Sequence, residues 1–123
     1  MTNIMAVLLD GIAQLEYDRN KPLPEHQAQY LDKMDHKMDG GIMVGSANIE
    51  NPDLHQRTEF IAANLAHAII NNQETVALAM CSYLADRLPD LKQVKIETQD
   101  NNVAIELVFD EEYRKQVPVK LIH

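Results

Sequence analysis

The last third of the chain is its most constraining feature. Val94, Ile96 and Thr98 alternate with Lys95 and Glu97. Asp100, Asn101 and Asn102 follow, and such residues favour tight turns. Val103, Ile105, Leu107 and Phe109 then alternate with Ala104, Glu106 and Val108. A period of two with a turn between two such runs is the pattern of an antiparallel β-hairpin with one apolar face. Val117, Val119 and Leu121 could extend it by a third strand, which Pro118 would confine to an edge. A two- or three-stranded ribbon cannot bury its apolar face alone. The rest of the chain must cover it.

The preceding segments read as helices. Leu54, Ile61, Leu65, Ala68 and Ile69 fall on one helical stripe after Asn51-Pro52-Asp53. Phe60 and Ile70 widen it, as expected of a heavily buried helix. Asn71-Asn72 ends this helix. Val76, Met80, Tyr83, Leu84 and Leu88 continue at helical spacing up to Pro89. The short connection implies an antiparallel helical hairpin. Another helix runs from Pro24, a residue suited to a helix start, to Asp39 before Gly40-Gly41. Residues 3–17 place Ile4, Leu8, Ile12 and Leu15 at helical spacing, with Gly11 as a weak point and a short buried strand over 4–9 as the alternative. The expected architecture is α+β: one domain over 1–123, with four helices packed on a small antiparallel sheet of two or three strands. Residues 40–52 form a flexible loop in this reading.

Size and charge limit the function. A chain of 123 residues buries enough surface to fold without staples. Its single cysteine, Cys81, excludes an internal disulfide. No secretory leader is read at the start and no apolar stretch approaches the ~18 residues of a membrane span, so the expected compartment is the reducing cytoplasm. The formal net charge is −8, spread as −4 over residues 1–50, −3 over 51–91 and −1 over the remainder. Phosphate recognition draws on Lys and Arg, so nucleic acid and anionic membrane are disfavoured partners. A protein partner, and a basic one in particular, is compatible with this charge. Pairing of an edge strand near the C-terminus with another chain, as a homodimer or with a peptide, is a further expectation.

The stretch Tyr30–Gly41, YLDKMDHKMDGG, concentrates Asp32, Asp35, His36 and Asp39. On a helix, Asp32 and His36 are neighbours, as are Asp35 and Asp39. This is the alternative function: a metal or small-ligand site on Asp32, Asp35, His36 and Asp39. Two or three such ligands fall short of a closed structural zinc site. The calcium-loop pattern fails, with Lys37 and Ser46 where acids belong. The plainer reading is a solvated helix face opposite a narrow stripe of Leu23, Leu31 or Tyr30, Met34 and Met38. Met is adaptable at protein-binding surfaces. Tyr30, Met34, Met38, Ile42, Met43 and Val44 are therefore the candidate contact residues.

Catalytic chemistry has little support. Cys81 and His67 lie on consecutive helices but sit at unequal distances from the turn, a mismatch of about 6 Å along the axis. Cys81 reads as a small buried hydrophobe and His67 as a half-buried structural residue. No nucleophile elbow, zinc-protease helix, glycine-rich phosphate loop or CxxC pair occurs. No cofactor is implied. The expected function is a small acidic protein that acts by protein contacts, as an adaptor, a chaperone-like factor or an inhibitor.

Overall fold

The computed structural model describes residues 3–44 and 46–113. The order is β1 (Ile4–Leu9), β2 (Ile12–Asp18), α1 (Glu25–Asp39), β3 (Ile42–Val44), β4 (Ala47–Ile49), α2 (Leu54–Ile70), α3 (Glu74–Arg87), β5 (Gln93–Gln99) and β6 (Asn102–Val108). A mixed four-stranded sheet has the order β2-β1-β5-β6, and β3 and β4 form a separate ladder. The class is α+β. The expected four helices on a two- or three-stranded antiparallel sheet is wrong: the described residues hold three helices and six strands, and one sheet pairing is parallel.

The error lies at the N-terminus. Residues 3–17 are a hairpin, not a helix, and the alternative of a short buried strand over 4–9 is what forms, as β1. Asp10 and Gly11 both take positive φ, 49° and 84°, between partners Leu9 and Ile12. Two left-handed residues in a two-residue loop match the twist of the strands they join, and Asp-Gly is a preferred pair for it. β1 lies inside the sheet, antiparallel to β2 and parallel to β5. Met5, Ala6, Val7 and Leu8 are all buried, so β1 reads as a continuous apolar run without alternation. The helical spacing was accidental: Ile12, one of its four residues, is 64% exposed.

The C-terminal hairpin expected from the alternation forms, with Gln99 facing Asn102 and Gln93 facing Val108. The third strand expected over 117–121 lies outside the described residues. Residues 40–52, expected as a loop, contain the β3–β4 ladder, with Ile42 opposite Ile49.

The α2–α3 hairpin covers one face of the sheet. Met5, Val7, Val94 and Ile96 meet Ile61, Leu65 and Leu84 in the core, and Ile105 and Leu107 flank them. Small buried residues, Ala62, Ala66 and Ala68 on α2 and Ala77 and Ala85 on α3, permit close approach of the backbones. α2 starts with a reciprocal cap: Asp53 accepts from the Gln56 amide at 2.8 Å, and the Gln56 side chain accepts from the Asp53 amide at 2.9 Å. α1 buries Leu31, Met34 and Met38 against this body. The chain beyond β6 crosses the opposite sheet face. There Gln93 donates to the Glu111 carbonyl at 2.9 Å and Tyr113 to Glu16 at 2.5 Å.

Candidate functional site

Asp32, Asp35 and Asp39 recur along the face of α1 that meets α2 and α3. Two arginines reach them. Arg57 of α2 donates to Asp35 Oδ1 and to the Asp35 carbonyl, each at 3.1 Å, and also to Asp39. Arg87 of α3 donates through Nε and one terminal nitrogen to Asp35 Oδ2, at 3.0 and 2.8 Å, and to Asp32 at 3.1 Å. The Tyr83 hydroxyl donates to Asp35 Oδ1 at 2.5 Å. The Arg87 guanidinium lies 5.3 Å from the Tyr83 ring centroid, in cation–π range.

Asp35 therefore joins all three helices. Burial pushes its carboxyl up, but hydrogen bonds from Tyr83, Arg87 and Arg57 outweigh burial and hold it below the usual aspartate value. Tyr83 is shifted upward, by burial first and by the Asp35 carboxylate second. The oxygens that a metal would need from Asp35 already accept from two guanidinium groups. His36 is 90% exposed and makes a 3.5 Å contact with Asp39. Among the described residues no group of three His, Cys, Asp or Glu side chains converges as a metal site.

The contact residues proposed from sequence are divided by the fold. Met34, Met38 and Ile42 belong to the core. Tyr30 and Met43 are exposed. Val44 lies on β3, opposite Ala47. They do not form one surface. Cys81 is buried, and burial pushes its thiol up to about 12. A thiol held protonated is a poor nucleophile. His67 is exposed, not half-buried, and contacts Asn71.

A different region gathers exposed apolar side chains. Leu54, Ala62, Leu88, Ile105, Leu107 and Phe109 line a groove of about 610 Å³ between α2 and β6. Leu54 is 48% exposed and Phe109 44%. His55, Thr58 and Glu59 supply its polar lining. The groove runs beside an edge of the sheet, because β6 is a terminal strand among the described residues.

The backbone of that edge follows from its register. The Gln99–Asn102 pair closes a two-residue loop, so Asn102, Ala104, Glu106 and Val108 face β5 with their N–H and C=O groups. The bond from the Lys92 amide to the Val108 carbonyl, at 2.8 Å, agrees with this phase. Val103, Ile105 and Leu107 thus direct their ladder groups outward. Ile105 and Leu107 also turn their side chains into the groove. The two edges differ. β2 is interrupted by a register shift between Val7 and Leu8, whereas β6 pairs with β5 without one. Bulges blunt sheet edges.

The alternation ending at Phe109 marked these residues as one face of a strand. What the sequence did not mark was that β6 is last in the sheet and that α2 stops short of covering it. Comparisons of the chain with protein-family models, with curated proteins and with solved structures gave no match. The described residues form an α+β fold in which β6 is a terminal strand beside an apolar groove.

Proposed function

We propose that this protein is a protein-binding module that acts through the β6 edge and the adjoining α2–β6 groove. A single observation carries the reading: Ile105 and Leu107 direct away from β5 ladder groups that no described strand pairs, and offer apolar side chains at the same place, with exposed Leu54 and Phe109 beside them. Strand addition uses both features at once, main-chain hydrogen bonds for affinity and side-chain pockets for specificity. An adaptor, a chaperone-like factor or an inhibitor could each work this way. The metal-binding alternative has less support, because Asp32, Asp35 and Asp39 are engaged by arginines. Catalysis by Cys81 has less support still, given its burial.

The test is photocrosslinking in the native cell. A photoreactive phenylalanine analogue replaces Phe109 in one strain, Leu54 in a second and exposed Lys33 of α1 in a control. Discrete protein adducts from the two groove positions and none from the control are expected. Adducts from neither groove position would refute the reading.

A further inference from the structure

Four features of the groove's surroundings bear on what fits it. First, among the described residues its lining contains no lysine or arginine, and Glu59 supplies a carboxylate, which His55 contacts at 2.9 Å. Second, acids flank it in sequence: Asp53, which caps α2, precedes Leu54, and Asp110, Glu111 and Glu112 follow Phe109, ahead of Arg114 and Lys115. Third, the arginines nearest in sequence are committed elsewhere. Arg57 is held by Asp35 and Asp39, and Arg87 by Asp32, Asp35 and Asp86. Fourth, Glu106 projects from β6 on the face away from the helices. Its cross-strand neighbour Lys95 directs its ammonium to Glu111 at 3.7 Å.

These features set the side-chain pattern of an added strand. Residues over the groove, in line with Ile105 and Leu107, must be apolar. The residue between them falls in line with Glu106 on the other face, where an opposite charge is favoured. A second copy of this chain fits less well. It would bring another Glu106 and another net charge of −8 against the same edge.

Resting on the reading of the groove as a protein-binding site, we propose that the β6 edge accepts an extended segment of a basic protein. That segment alternates apolar residues, which enter the α2–β6 groove, with lysine or arginine aligned to Glu106. It becomes a fifth strand of the sheet.

The probe is a short blocked peptide alternating valine with lysine, titrated against the full chain by fluorescence anisotropy and amide NMR. Saturable binding is expected, with new exchange protection at Val103, Ile105 and Leu107. A glutamate-for-lysine analogue should bind at least about tenfold more weakly, as should the lysine peptide in ~0.5 M salt, where the Debye length is only a few ångströms. Two further peptides carry N-methyl groups on alternate residues, in opposite phases. One phase should abolish binding and the other leave it, because only one set of amides faces β6. Phe109→Ala, at a position 44% exposed, should weaken binding severalfold while the circular dichroism spectrum is unchanged.

Equal binding of the acidic and basic peptides, protection away from β6, or equal behaviour of the two N-methylated phases would each overturn the proposal. A peptide-free dimer with β6 amides already protected would assign the edge to a second copy and overturn it as well. Crosslinks in the cell from Phe109 and Leu54 together with no peptide binding would sink the basic-strand proposal alone. Absence of both would sink the functional reading with it.

Discussion

Asp35→Asn replaces one carboxylate oxygen by an NH2 group and nearly preserves volume. At an ordinary exposed helix position it would be close to neutral, within about 0.5 kcal/mol. Here it should be costly. Asp35 accepts one bond from Tyr83, one from Arg57 and two from Arg87. An asparagine keeps one acceptor oxygen and turns an NH2 toward donors that have nothing to give it to. It also leaves two guanidinium groups without their shared anion. Removing one member of a fully buried ion pair costs about 3–5 kcal/mol. The Asp35 side chain retains 28% exposure, so water recovers part of this, and we expect about 2–3 kcal/mol. For a chain of this length that corresponds to a fall in Tm of roughly 10 °C. Urea unfolding followed by circular dichroism measures it. A double-mutant cycle with Arg87→Met should return a coupling of about 1–2 kcal/mol, as for contacting residues in one network. A loss below about 0.5 kcal/mol for Asp35→Asn, with no coupling, would show that the cluster is decorative and that α1 is held by Leu31, Met34 and Met38 alone.

The same carboxylate sets an acid limit. Its folded value lies below the unfolded one, so its contribution is complete above the ordinary carboxylate range, near pH 4, and is lost as pH falls through the folded value. Acid titration of stability should therefore be steeper in the natural protein than in Asp35→Asn, and equal slopes would contradict the linkage. Gly11→Ala should cost about 1 kcal/mol from its φ of 84° alone, since an added Cβ there meets nothing within 4 Å. A cost near zero in urea unfolding would argue against the left-handed loop. Cys81, buried with its thiol pushed up to about 12, should react with an aromatic disulfide reagent only as fast as the protein opens. Rapid native-state labelling at pH 8 would show that the core around it is accessible.

Legibility followed burial pattern. β5 and β6 each keep one polar face, so they alternated and were read correctly, as was the α2–α3 hairpin with its broad apolar stripe. β1 is buried on both faces, and such a strand loses the period that identifies it. Asp10-Gly11 between two apolar runs was the legible signal for its hairpin, and weighing Gly11 only as a flaw in a helix missed it. In the acidic stretch, spacing showed that Asp35 and Asp39 share a face. It could not show that Arg57 and Arg87, 22 and 52 residues further on, would arrive there. Pairings across that separation are tertiary and leave no local pattern. The groove was illegible for the same reason: an edge exists only once strand order is known, and strand order depended on the misread N-terminus.

Strand addition at β6 requires that its outer edge be open. Residue-resolved amide hydrogen exchange on the isolated protein measures this directly. Ala104, Glu106 and Val108, bonded to β5, should be protected, while Val103, Ile105 and Leu107 exchange quickly. Uniform protection from Val103 to Val108 would mean that the edge is already covered, and the binding site argued here would not exist.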